Sequence, residues 1–264
     1  MAAPGELVAV AEPIAREVAD HLRESLAGAG PAVSTKTTAT DLVTELDLWA
    51  EARITERLVD ARPHDTVEGE EGAAVAGTSE VTWSVDPIDG TVNFVHGLPG
   101  FNVSIAAIVD ERPVAGVVAS VLPWEVFTAH EGGGAACNGT PIACATPASA
   151  AHAVVGTGFA YDPVRRTRQA EAVAQAIGEI ADIRRIGAAA SDLCFVAMGR
   201  LDAFWEVGLN RWDLAAGTIV AREAGAKVAA LDGAEPSGAS TLAAPPAIWD
   251  ELAEILLRAG ATDL

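Results

Sequence analysis

The chain has 264 residues, with 37 Asp and Glu against 17 Lys and Arg and a formal net charge of −20. Half of it is hydrophobic, which excludes a disordered chain, and surface scaling gives a folded area of about 11,000 Å² with roughly 70% of the unfolded chain's surface buried. The charge repels nucleic-acid backbones and anionic membranes, so direct binding to either is not expected; it also repels phosphorylated metabolites unless something local reverses the sign. Cys137, Cys144 and Cys194 are odd in number and lack CxxC spacing, which argues against a disulfide framework or zinc site and for a reducing cytoplasm. Glu6 and Glu12 stand where a signal peptide needs positive charge. No apolar stretch reaches the ~18 residues of a membrane span.

Apolar residues at helical spacing (Leu7, Val10, Ile14, Val18, Leu22, Leu26) predict a helix over 6–28, kinked or started at Pro13. Leu42, Leu46, Trp49, Ile54 and Leu58 predict a second over 42–60, N-capped by Asp41. From Val81 the texture changes: a short strand at 83–85 runs into Asp86-Pro87, and β-branched runs at 102–109, 114–121 and 125–129 are expected to pair antiparallel. Gly132–Gly134 and Asn138-Gly139 mark tight turns. The three glycines read as a hairpin rather than a phosphate loop, because the chain has neither GxxxxGK[ST] nor a GxGxxG at a strand–helix junction. After about residue 150 strands (154–158, 183–186, 202–207, 227–231, 241–244) alternate with helices (163–177, 191–198, 212–223, 248–257). The expected organisation is one domain over 1–264, antiparallel-rich to about residue 150 and alternating over 151–264.

Three acidic clusters stand out: Glu68-Gly69-Glu70-Glu71-Gly72, Asp86-Pro87-Ile88-Asp89-Gly90-Thr91 and Trp212-Asp213. Singly they read as a solvated loop, a type I turn and an Asp N-cap. Together they mean more. Pro87 fixes one φ, the Asp-x-x-Asp step lets two carboxylates and the Ile88 carbonyl face one point, and Gly90 and Thr91 offer backbone N–H groups to an anion. Two carboxylates ~4 Å apart repel by about 4 kcal/mol at an effective dielectric near 20. Such a cluster must protonate, relax or bind cations, and oxygen ligands suit Mg²⁺ or Mn²⁺.

Lys36 with Asp41-Leu42-Val43-Thr44 and Asp47, Gly69-Glu70-Glu71, the run WSVDPIDGTVNF from Trp83 to Phe94, Arg185-Ile186-Gly187-Ala188-Ala189, and Trp212-Asp213-Leu214-Ala215-Ala216-Gly217 with Glu223-Ala224-Gly225 together resemble the inositol monophosphatase family of lithium-sensitive, metal-dependent phosphatases. The matching stretches run in family order across nearly the whole chain. The wording at 156–159 and 182–193 is similar to that of the bacterial SuhB-type members. The resemblance implies an α+β fold, a five-layer αβαβα sandwich of the inositol monophosphatase and fructose-1,6-bisphosphatase type, and a cytoplasmic homodimer that hydrolyses inositol-1-phosphate. It also implies two to three Mg²⁺ ions, Mn²⁺ being an alternative: Glu70, Asp86 and the Ile88 carbonyl at the first, Asp86, Asp89 and Asp213 at the second, Glu70 at a weaker third. Gly90 and Thr91 amides would take phosphate oxygens; Thr91, oriented by Asp47, would help Glu70 activate water. Glu206 and Asp213 would bind substrate, with backbone at Ala188 and Ala189 beside it and Lys36 near the site.

Other readings fit less well. Cys194 and Arg200 have the C-x5-R spacing of cysteine-dependent phosphatases, but the intervening residues are mostly apolar and Leu193 stands where His is needed, so a core helix is expected. His21, His64, His96, His130 and His152 form no H-x-x-x-H pair. The second Asp of Asp86-Pro87-Ile88-Asp89 falls one place too late for a haloacid-dehalogenase loop. Among relatives of the same superfamily, phosphatases of histidinol phosphate, fructose 1,6-bisphosphate and 3′-phosphoadenosine 5′-phosphate are the alternatives. A regulatory or scaffold role is the contrasting class, and the complete set of acids with Thr91 argues for catalysis.

Overall fold

The computed structural model describes residues 2–26, 33–35 and 42–262, so Lys36 and the Asp41 cap lie outside the described residues. The total accessible surface, 10768 Å², agrees with the scaling of a single compact chain of this size.

The first part opens with helix α1 (Pro4–Ser25), a short hairpin of β1 (Val33–Thr35) and β2 (Leu42–Thr44), and helix α2 (Glu45–Ala61). Strands β3 (Thr66–Gly69), β4 (Ala74–Val75) and β5 (Thr82–Asp89) follow, then the short helix α3 (Thr91–Val95). Next come β6 (Asn102–Val109), β7 (Arg112–Ser120), β8 (Glu125–His130), β9 (Gly134–Cys137) and β10 (Thr140–Ile142). These build an eight-stranded sheet, β10-β9-β8-β7-β6-β5-β3-β4, antiparallel except where β3 lies parallel to β5. The second part contains β11 (Val154–Thr157), α4 (Pro163–Ala176), β12 (Asp182–Arg184), α5 (Ala189–Ala197), β13 (Ala203–Glu206) and α6 (Arg211–Glu223). It ends with β14 (Lys227–Ala229), β15 (Thr241–Ala244) and α7 (Pro246–Arg258). Its five-stranded sheet runs β12-β11-β13-β15-β14.

The layers are α1 and α2, the first sheet, α5 and α6, the second sheet, then α4 and α7, with three apolar cores between them. This is the expected αβαβα sandwich. Its central strands are covered on both faces, which is why β6 (NVSIAAIV) is buried at every position and reads as an unbroken run rather than an alternating one. Small residues let α6 close onto the sheet: a Cβ at Gly116 of β7 would lie 2.5 Å from Ile219.

Several boundaries depart from the sequence expectations. α1 starts at Pro4 and runs through Pro13. One lost backbone bond is outweighed by a buried stripe (Leu7, Ala11, Ile14, Ala15, Val18, Ala19, Leu22) that continues across it. α2 starts at Glu45, not 42, because Thr44 caps it through Leu46 and Asp47 amides and 42–44 pair as a strand. β5 extends to Asp89, with a register shift against β6 between Asp86 and Asp89. The acidic run 68–72, which taken alone reads as a solvated loop, overlaps the end of strand β3, and its turn leads into β4. Among the described residues no helix is long and apolar enough to cross a membrane.

Candidate active site

A cavity of about 320 Å³ opens where the C-terminal end of β5, the start of α3, the start of α5, the end of β13 and the start of α6 meet. It brings together Glu70, Asp86, Ile88, Asp89, Gly90, Thr91, Ala188, Ala189, Glu206 and Asp213, every candidate read from the sequence except Asp47, which stands one contact behind, and Lys36.

The irregularity in β5 turns Asp86 and Asp89 inward, and both are buried. Burial, followed by the charges of Glu70, Asp89 and Asp213 and a hydrogen bond shared with Glu70, raises the Asp86 carboxyl well above its ordinary range. Asp89 Oδ2 accepts from Asn102 Nδ2 and Ala190 N, each at 2.8 Å; burial still pushes it up to about 6 against those bonds. Asp213 is not a plain N-cap. α6 begins at Arg211, and Asp213, one turn in, reaches back to accept from Asn210 N at 2.6 Å. Burial, then the charge of Asp89, pushes it up to about 8. Glu206, at the end of β13, is pushed up to about 8 by burial and by Asp213, against the opposing charge of Arg185.

Gly90 sits at φ 89°, a left-handed conformation that ends β5 and starts α3 at the cavity wall. Thr91 Oγ1 lies 3.0 Å from the Ile88 carbonyl and 3.2 Å from Asp47 Oδ1, while Asp47 Oδ2 accepts from Thr44 N and Oγ1. Asp47 is therefore held by Thr44 at one oxygen and reaches Thr91 with the other.

Glu70 is carried on a turn after β3, which is not the solvated loop its sequence suggests. Glu70 N donates to Val85 O, and the buried Glu51 of α2 accepts from the amides of Glu71 and Ala73 at 2.7 Å each. A Cβ at Gly69 would lie 2.1 Å from Glu51 Oε2, so a side chain there would push the Glu51 carboxylate off these amides. Sequence reasoning missed Glu51: it lies twenty residues from its partners, and no local pattern marks it. It also missed Arg165 and Arg185, which line the same cavity.

The acids are gathered but not yet spread as ligands. Among the described residues no group of three or more His, Cys, Asp or Glu side chains is already arranged to hold a metal ion. The physical reason is visible: Asp86 and Glu70 hydrogen-bond to each other, and Asp89 and Asp213 are turned onto backbone donors. The four acids read from the sequence as a metal cage, Glu70, Asp86, Asp89 and Asp213, thus line one cavity.

Cys194 lies buried in α5, where burial holds its thiol well above the ordinary value, and Arg200 is ion-paired to Glu125. The C-x5-R spacing carries no thiolate site.

The sequence model of the inositol monophosphatase family matches residues 4–259. The inositol-1-monophosphatase of Mycobacterium leprae is 42% identical over 275 residues, covering 97% of this chain and 94% of its own. The Nus factor SuhB of Pseudomonas aeruginosa is 42% identical over 205 residues, 74% of each chain. The crystal structure of the extragenic suppressor protein suhB from Bartonella henselae superposes with a TM-score of 0.90 at 34% identity, covering 95% of this chain and 98% of that one.

Proposed function

Because the chain belongs to the inositol monophosphatase family, a family of metal-dependent phosphatases, we propose that it is a Mg²⁺-dependent phosphomonoesterase hydrolysing inositol-1-phosphate to inositol and phosphate. The observation that carries this reading is one cavity lined by four acids, Glu70, Asp86, Asp89 and Asp213, beside the amides of Gly90 and Thr91.

The donor set fits Mg²⁺ or Mn²⁺: it is all oxygen, and the burial that forces protons onto Asp86, Asp89 and Asp213 is relieved when a cation takes their place. Glu70, Asp86 and the Ile88 carbonyl would hold a first ion, Asp86, Asp89 and Asp213 a second, and Glu70 a weaker third. Bound there, such ions supply positive charge to the phosphate and acidify water.

The chain's own groups do the rest. Amides of Gly90 and Thr91 take phosphate oxygens. The single Thr91 hydroxyl proton has two acceptors in reach, the Ile88 carbonyl and Asp47 Oδ1; with a cation on the Ile88 carbonyl it would go to Asp47, leaving an Oγ1 lone pair to orient water, whose proton the Glu70 carboxylate accepts. Glu206, protonated up to about pH 8, can both donate to and accept from a substrate hydroxyl, while the backbone of Ala188 and Ala189 bounds the substrate's side of the cavity. Histidinol phosphate is the weaker alternative, because its ammonium would enter beside Arg165 and Arg185.

The test is a phosphomonoester panel with Mg²⁺. Phosphate release from inositol-1-phosphate, loss in EDTA and inhibition by Li⁺ are expected. Turnover indifferent to EDTA, or a preference above about tenfold in kcat/KM for L-histidinol phosphate, would overturn the reading. In the same assay Cys194→Ser is expected to retain activity; loss of turnover in a folded variant would restore a thiolate mechanism. The Nus factor name of the Pseudomonas relative raises a binding role. Against a binding-only protein stand the complete acids and Thr91, which binding alone does not need.

A further inference from the structure

Ten arginines form ion pairs with carboxylates: Arg16, Arg23, Arg53, Arg57, Arg62, Arg184, Arg200, Arg211, Arg222 and Arg258. Among the described residues Arg112, Arg165, Arg166, Arg168 and Arg185 form none, and of these Arg165 and Arg185 line the acidic cavity. An arginine that lines a cavity with six carboxylates and ion-pairs with none of them calls for an explanation.

The structure holds the Arg165 group in place. Arg165 stands in the first turn of α4, which Asp162 caps through the Arg165 amide at 2.8 Å. Its guanidinium lies against Gly208, where a Cβ would come within 2.8 Å of Nη1, and its Nε is shielded from solvent without a hydrogen-bond partner. A buried donor of that kind is a cost unless a ligand takes it. Arg185 folds back over Gly187, where a Cβ would meet its Nη1 at 2.4 Å. Both stand at the Glu206 end of the cavity: Gly208 follows Glu206 by two residues, and the charge of Arg185 acts on Glu206 and on the buried Asp192 behind it. That is the end assigned above to the leaving group's hydroxyls, not to the reacting phosphate.

We propose that Arg165 and Arg185 bind a second anionic group, carboxylate or phosphate, on the leaving group of the substrate. The planar fork of a guanidinium matches either oxyanion with paired N–H donors, which a lysine does not. Beside inositol-1-phosphate, the cavity is then expected to accept polyol phosphates with an anion at the far end of the chain, and to favour them over chains that lack it. This rests on the phosphomonoesterase reading above.

Two substrates isolate the feature. Sorbitol 6-phosphate and 6-phosphogluconate share a six-carbon hydroxylated chain with phosphate at one end; the other end is CH₂OH in the first and carboxylate in the second. The protein with Mg²⁺ is expected to favour 6-phosphogluconate by at least about tenfold in kcat/KM. In the double variant Arg165→Gln, Arg185→Gln that ratio is expected to fall to within about twofold of one, and the double Lys variant to keep part of it. A ratio near one in the unaltered protein, or a ratio that survives both Gln substitutions, would overturn the proposal; the first needs no variant to fold. Release from sorbitol 6-phosphate without carboxylate preference defeats this inference alone, whereas release from neither substrate nor from inositol-1-phosphate defeats the phosphatase reading with it.

Discussion

Asp89→Asn is expected to lower kcat for phosphate release by at least about a thousandfold, roughly 4 kcal/mol of activation free energy, while leaving the chain folded. The argument starts from what Asp89 already binds. Its Oδ2 accepts from Asn102 Nδ2 and Ala190 N. An asparagine in the same rotamer keeps both bonds by placing its amide oxygen there. The amide NH₂ then stands where the other carboxylate oxygen stood, presenting a donor in place of an acceptor; of the native partners, only the backbone bond from Ala189 is put at risk. Folding is spared, and the substitution removes a charge that burial opposes. Cation binding is not spared, because an NH₂ cannot ligate Mg²⁺. Two measurements separate these effects. Steady-state phosphate release reads the catalytic loss, and the rise in thermal midpoint on adding Mg²⁺ reads the cation site. Both should collapse in the variant, with the metal-free midpoint unchanged or higher. Activity within tenfold of the unaltered protein would remove Asp89 from the site.

The architecture was largely legible because its signals are local. Alternating turns and β-branched runs marked β6, β7 and β8, and helical spacing marked α1, α6 and α7. The chemistry at 86–91 was legible because Pro87 and Gly90 limit the backbone to few conformations. What escaped depends on contacts distant in sequence. β3 is only four residues long and owes its strand to parallel pairing with β5, so nothing within it announces it. Glu51 reads as one more charged helix residue until the Gly69 turn folds over it. Pro13 reads as a break because propensity is local, whereas the helix is held by an apolar face packed along its length. Arg165 and Arg185 come from different elements and meet only at the cavity. Net charge says nothing of where single cations sit; it takes placement to see that an acidic chain keeps guanidinium groups without ion pairs at one end of its cavity.

In metal-free buffer the thermal midpoint is expected to fall as pH rises from about 5 to about 8, by more than about 5 °C, and Mg²⁺ is expected to reverse most of the fall. The sign follows from proton binding. Burial raises Asp89 from 3.8 to about 6, Asp213 from 3.8 to about 8 and Glu206 from 4.5 to about 8. In the folded chain these groups hold protons that the unfolded chain has released, so stability is full below about pH 4 and declines as pH climbs through the folded values. Surface charge adds repulsion over the same range, since the chain reaches −20. Sodium chloride distinguishes the two, because it screens exposed carboxylates and leaves buried ones nearly untouched. Mg²⁺ binds the deprotonated acids, so the midpoint gained on adding it at millimolar concentration should grow from pH 5 to pH 8. The Asp213→Asn variant should show a flatter metal-free profile and a smaller gain. A midpoint independent of pH in EDTA, or a Mg²⁺ gain that shrinks as pH rises, would mean that Asp89, Asp213 and Glu206 do not share one buried site.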